Sequence, residues 1–254
     1  MSVQNSILIS RTISVSGRPL HYRVSSYALP PTAQSLVMVH GLATSNTYML
    51  PTAVRLASSY HVYVPDLPGF GESAKPEQVL TVSELADALA AWMGAVGLSA
   101  ATLLGNSLGC QVIAQLAMRH PACIERAILV GPSMDPQALT AHQEILRWLA
   151  NVPFEPFHLF PIMIGDFLHA GIRRTAQTLE YGLQDHIHEH LPHMHIPTLV
   201  VRGSHDTIVP QRWAEEATAL LPDGKLVVIA GAAHDTNYNS PKELAALVRA
   251  FMQG

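Results

Sequence analysis

The residues best placed to do chemistry lie in Gly105-Asn106-Ser107-Leu108-Gly109, directly after the apolar run Ala101-Thr102-Leu103-Leu104. The Gly-x-Ser-x-Gly form is that of a nucleophile elbow, in which a serine sits on a sharp turn between a strand and a helix. The glycines have a physical reason. A serine held in a strained backbone conformation needs neighbours without side chains, so that the helix packs close to the strand. The turn lifts the hydroxyl out of the sheet and aims the first helix amides at whatever it attacks. A five-residue pattern with three fixed positions is weak by itself. Its context strengthens it: the residues before it read as a buried strand, and 110–120 read as a helix ended by Pro121.

The elements that must hold this turn alternate strand and helix. Segments 7–15 and 20–25 suggest an antiparallel pair with Gly17-Arg18-Pro19 as its turn. A short buried strand at 36–39 ends at His40-Gly41, a helix follows at about 48–58, and a strand at 61–65. Thr81-Val82-Ser83-Glu84 offers a capping box, after which Leu85, Leu89, Trp92 and Val96 recur at helical spacing until Gly97. Further strands are expected at 128–130, 198–201 and 226–229, with a helix at 210–221. The last helix opens on Ser240-Pro241-Lys242-Glu243, read as N-cap, first-turn proline and capping glutamate. Such alternation implies a mostly parallel central sheet covered by helices on both faces.

One stretch breaks the alternation. Between 132 and 196 the pattern is helical, with helices expected near 136–149, 157–169 and 172–183. It is rich in Trp148, Phe154, Phe157, Phe160, Met163 and Phe167. We read 1–131 and 197–254 as a core domain and 132–196 as a helical cap over the carboxyl edge of the sheet, where open α/β sheets bind ligands. A packing insertion without substrate contact is the alternative.

Composition sets outer bounds. The 254 residues suffice for one large domain or two small ones. Hydrophobic residues at 48% and charged residues at 13% describe a compact globular chain rather than a disordered one. The formal net charge of -4 gives no electrostatic reason to expect nucleic acid. The start, 1–16, lacks the basic opening and apolar run of a signal peptide, and no run of apolar residues is long enough to span a membrane. Cys110 and Cys123 fall at opposite ends of one predicted helix, too far apart to bridge, and read as free thiols. A cytoplasmic monomer or homodimer acting on a small molecule is expected.

Five ordered segments carry a resemblance. Val39-His40-Gly41-Leu42, the loop 66–73 (Asp66-Leu67-Pro68-Gly69-Phe70-Gly71-Glu72-Ser73), the elbow, Gly203-Ser204-His205-Asp206 with Thr207-Ile208-Val209-Pro210, and Gly231-Ala232-Ala233-His234 together resemble an α/β-hydrolase. A serine hydroxyl is a poor nucleophile at neutral pH and needs an adjacent base, for which imidazole is suited by its pKa. His234 sits just past the strand at 226–229 and Asp206 just past that at 198–201. The order Ser107, Asp206, His234 matches the arrangement of this family, with the carboxylate fixing the imidazole tautomer. By resemblance, the backbone amides of Leu42 and Leu108 form the oxyanion hole.

Other candidates have plainer readings. Asp135 follows the strand ending at Val130, where some relatives carry the acid, and Asp235 adjoins His234. His40 is expected to support its loop through hydrogen bonds. The run His186, His188, His190, His193 and His195 lacks a recognised zinc-ligand pattern and reads as a solvated edge of the cap. No metal or cofactor is called for. Cys110 reads as a residue packed under the elbow.

The reaction class narrows by what is missing. Haloalkane dehalogenases and epoxide hydrolases of this fold carry aspartate at the elbow, unlike Ser107, and hydroxynitrile lyases often place a lysine near the pocket. No lysine lies between Lys75 and Lys225. Carbon–carbon hydrolases of ring-cleavage acids resemble the chain in Asn106 and in a cap arginine, for which Arg173 or Arg174 would serve; they differ in having tryptophan where Asp235 stands. The candidate substrate contacts are Asn106, Trp148, Phe157, Phe160, Arg173 and Arg174. The leading expectation is a serine hydrolase cleaving a carboxylic ester through an acyl-serine. Carbon–carbon, lactone or thioester hydrolysis and cofactor-free perhydrolysis are alternatives, and a ligand-binding receptor is the non-enzyme reading.

Overall fold

The computed structural model describes residues 7–138 and 140–254. Residues 1–6, part of the start read for a signal, and Leu139, inside the helix expected at 136–149, lie outside the described residues. Eight strands form one sheet: β1 (Leu8–Val15), β2 (Arg18–Ser25), β3 (Ser35–Val39), β4 (His61–Pro65), β5 (Ala101–Asn106), β6 (Ile124–Val130), β7 (Thr198–Gly203) and β8 (Gly224–Ile229). Their order is β1-β2-β4-β3-β5-β6-β7-β8. The first two strands join antiparallel, and every pair from β4 onward is parallel.

The helices are α1 (Leu50–Leu56), α2 (Val82–Ala95), α3 (Leu108–Arg119), α4 (Ala141–Asn151), α5 (Phe160–Ala170), α6 (Ile172–Gln184), α7 (Ile187–His190), α8 (Gln211–Leu220), α9 (Thr236–Asn239) and α10 (Pro241–Gln253). Side chains alternate across a strand, so the apolar runs of the inner strands feed two cores. Val37, Val39, Leu103, Leu129 and Val200 pack against α2, α3 and α8. Leu36, Met38, Leu104, Ile128, Val130 and Val201 pack against α1 and α10 on the other face. Both β5 and β7 are buried along their whole length. This places the carboxyl ends of β3, β5, β7 and β8, and the loops they feed, along one rim.

Local chemistry explains most boundaries and several departures. The first hairpin turns on Ser16 (φ 49°) and Gly17 (φ 78°), with Val15 opposite Arg18. A two-residue turn with both φ positive matches the twist of the strands, so Arg18 and Pro19 lie in β2 rather than in the turn. Thr81 closes its capping box as expected: its Oγ1 accepts from Glu84 N, and its own N donates to Glu84 Oε2. Ser240 makes no side-chain cap bond, because the short helix α9 ends directly on it. The helix expected at 48–58 begins as a 3-10 turn, Asn46–Met49, before α1.

Between β6 and β7 the described residues form helices joined by turns, with no strand. The helix expected from 136 starts at Ala141 instead, after Thr140 has capped Gln143 N. Asp135 Oδ1 accepts from Gln137 N, which turns the chain there. The helix expected from 157 begins at Phe160, with Pro161 in its first turn. None of the helices among the described residues is long and apolar enough to cross a membrane.

Candidate active site

At the end of β5 the chain turns through Ser107 at φ 55°, ψ −122°, and enters α3 at Leu108. A non-glycine residue there carries steric strain. The flanking glycines allow it by close approach: a Cβ on Gly105 would stand 2.6 Å from Gly109 C, and one on Gly109 2.5 Å from Val39 O. Helix, elbow and neighbouring strand thus touch backbone to backbone, and Ser107 is left half-buried at the rim.

The loop after β7 presents Asp206 and the loop after β8 presents His234. His234 Nδ1–H donates to Asp206 Oδ2 at 2.9 Å, and Asp206 Oδ1 accepts from Ile208 N and Val209 N, both at 2.9 Å. This leaves His234 Nε2, buried and without a hydrogen-bond partner. Gly131 makes room for the pair, since a Cβ there would sit 3.0 Å from the imidazole and 3.2 Å from Asp206. Burial lowers the His234 pKa, but the charge and hydrogen bond of Asp206, with Asp235 and Glu155, more than offset it and hold the ring up at about 9.

The alternatives fall into structural places. Asp135 is bound by Arg147 and Arg212 and does not reach His234. His40 is fully buried; its Nε2 accepts from Leu67 N at 2.9 Å and its Nδ1–H donates to Gly41 O at 2.8 Å, so it braces the loop as expected. Burial lowers its pKa further. Cys110 is buried under the elbow, its thiol pushed well up by desolvation. Among the described residues no three His, Cys, Asp or Glu side chains gather as a metal site. His190 departs from the expected solvated edge: it is half-buried, donates to Asp185 O at 2.7 Å and lies 3.0 Å from Gln115 Nε2.

Ser107 and His234 line one cavity of about 610 Å³ with Leu42, Leu108, Tyr48 and Asn106 from the core. The segment between β6 and β7 adds Met134, Glu144, Ile145, Trp148, Phe160 and Met163, among others. Trp148 and Phe160 therefore lie where the sequence suggested. Phe157 does not: it is 91% exposed in the 3-10 turn before α5, which faces it to solvent. Neither arginine lines the cavity. Arg173 is exposed, and Arg174 spans to the loop after β4, donating to Pro76 O at 2.7 Å and packing on Gly69. Asn106 borders the cavity, but its amide is committed to protein. Oδ1 accepts from Tyr48 Oη at 2.7 Å, and Nδ2 donates to Val130 O and His234 O, both at 3.2 Å.

Tyr48 and Glu144 are among the lining residues that escaped sequence reading. Tyr48 Oη accepts from Gly41 N at 2.8 Å and so ties the loop after β3 to the elbow. Glu144 and Asp235 add two acidic residues to the lining of a mostly apolar cavity. Asp235 was visible only as a neighbour of His234. Tyr48 and Glu144 carried no local signal, since their partners lie far along the chain.

The chain belongs to the alpha/beta hydrolase family, whose model matches residues 36–247. That places it among hydrolases built on this sheet and rim. Among curated proteins it is similar to a putative carbamate hydrolase, RutD, of Yersinia enterocolitica, 24% identical over 87% of this chain and 88% of the relative. It is also similar to carboxylesterase YbfK of Bacillus subtilis, 23% identical over 89% of this chain and 82% of the relative. Among solved structures, the enol-lactonase from Burkholderia xenovorans LB400 superposes with a TM-score of 0.79 at 23% identity, covering 96% of this chain and all (100%) of that one. At that identity the structural likeness is one of fold.

Proposed function

We propose that the protein is a serine hydrolase that cleaves a carboxylic ester of a small, largely apolar substrate through an acyl-serine intermediate. The observation that carries this reading is the Asp206-bound imidazole of His234, whose Nε2 is left without a hydrogen-bond partner and which lines the same apolar cavity as Ser107. In the proposed mechanism Ser107 Oγ attacks the acyl carbon while His234 Nε2 takes its proton. The amides of Leu42 and Leu108 receive the developing oxyanion, each worth roughly 3 kcal/mol of transition-state stabilisation. His234 then returns the proton to the leaving alcohol and activates water to release the acid. Asp206 holds the ring in the tautomer that leaves Nε2 free to act as the base. Residues 132–196 act as a cap that shapes the substrate's apolar envelope.

An enol-lactone is an internal ester, so cleavage of lactones falls within the same chemistry. The reading as a carbon–carbon hydrolase of dienone acids has less support, because Arg173 and Arg174 stay outside the cavity while two acidic residues line it. The test is pre-steady-state kinetics with nitrophenyl esters. An acyl-serine predicts a burst of nitrophenol near one equivalent of enzyme, absent in Ser107→Ala; turnover that survives in that variant would overturn the assignment. Tight binding with no release of product would favour the receptor reading.

A further inference from the structure

The substrate envelope carries a feature that an ester hydrolase does not need for its chemistry. Glu144 stands in the first turn of α4, is only 7% exposed and borders the cavity. Its Oε1 is buried and accepts no hydrogen bond. The nearest cation, Arg147 Nη1, is 3.6 Å away, beyond a good hydrogen bond. That guanidinium is committed elsewhere: Nη2 donates to Asp135 Oδ2 at 2.9 Å and Nη1 to Ile208 O at 3.4 Å. A buried carboxylate oxygen without a donor is costly to keep.

Two further observations point to a polar ligand group. Ser133, 3% exposed, also lines the cavity with its Oγ buried and unpartnered, as does Thr175 with its Oγ1. A second acidic residue, Asp235, also lines the cavity, and the lining includes no lysine and no arginine. Burial pushes Glu144 up to about 7, while burial and then the charge of Glu155 push Asp235 up to about 7. The cavity thus lines an apolar space with unpartnered acceptors, and the cationic side chain among its lining residues, His234, is already paired with Asp206.

Resting on the serine-hydrolase reading, we propose that Glu144 is a specificity residue: it accepts a hydrogen bond from a hydroxyl or ammonium carried on the substrate's apolar body. Together with Asp235 it turns away substrates that bear a free carboxylate. Ser133 and Thr175 supply the remaining polar contacts. Glu144 takes no part in bond making at Ser107.

Two measurements test this. The first compares kcat/KM for nitrophenyl esters of one acyl chain ending in methyl, hydroxyl, ammonium or carboxylate, with a second set varied on the alcohol. The hydroxyl or ammonium form is expected to exceed the carboxylate form by about tenfold to a hundredfold, the span of one charge-assisted hydrogen bond. Glu144→Gln should erase most of that difference, and the hydroxyl and ammonium arms separate the two donors. Equal rates across the set, or a preference for carboxylate, would overturn the proposal. The second uses Ser107→Ala protein, where no turnover is expected, and follows melting temperature with hexylammonium, hexanol and hexanoate. Stabilisation by the ammonium or the alcohol but not by hexanoate, lost in the double variant with Glu144→Leu, supports Glu144 even if the ester mechanism fails. Stabilisation by hexanoate alone overturns it even if the ester mechanism holds.

Discussion

His234 is the residue on which the proposed chemistry turns, and its surroundings predict how activity follows pH. A general base must be neutral, so kcat/KM falls as pH drops below its pKa. Desolvation favours the neutral ring, yet Asp206, Asp235 and Glu155 together raise it, so the acid limb is expected above the ordinary 6.5. Asp235→Asn removes one of those charges and should move the limb to lower pH, measured as the profile of kcat/KM; an unmoved limb would contradict the assignment. Glu144 offers a stability test with the opposite chemistry. Its folded pKa, about 7, lies above the 4.5 of an unperturbed glutamate. The fold therefore favours the neutral acid, and the associated stability is complete below the unfolded value and lost as pH rises through the folded one. Glu144→Gln should raise the melting temperature at about pH 8 and much less at about pH 5, a difference read directly by thermal melts at the two values.

Elements were legible in the sequence where their signal was local. The inner strands are apolar runs buried on both faces, and the elbow glycines are fixed by packing so close that an added Cβ would stand 2.5 to 2.6 Å from a neighbouring backbone atom. Asp206 and His234 follow from their places just past strands. What joins these elements was not legible. Tyr48 reaches Asn106 across 58 positions of sequence, through a hydroxyl that also receives Gly41 N. Periodicity says nothing of a bond between two loops. Tyr48→Phe leaves a buried N–H and a buried amide oxygen without partners, at a cost of roughly 1–3 kcal/mol. The variant should unfold at lower urea and lose more in kcat than in KM, since Leu42, whose amide is assigned to the oxyanion, follows Gly41. A loss confined to KM would instead mark Tyr48 as a substrate contact.

For the molecule as a whole, the sheet supplies the rim and the helices between β6 and β7 supply most of the apolar lining. Helical periodicity announced those helices but not their orientation, which is why Phe157 and Phe160 read alike in sequence. One is 91% exposed, and the other borders the cavity. Arg174 likewise anchors its helix to the loop after β4 instead of entering the cavity. Phe160→Ala should raise KM for apolar esters several-fold, whereas Phe157→Ala should leave kcat and KM near those of the parent, measured on one ester series. Comparable losses in both would mean that the substrate meets a wider surface than the cavity.

The central claim is that Ser107 is an activated nucleophile, and intact mass after treatment with a fluorophosphonate probe tests it most directly. The account predicts one adduct per chain on the parent protein, none on Ser107→Ala, and slowed labelling on His234→Ala. An adduct that persists on Ser107→Ala, or folded parent protein that takes none, would contradict it.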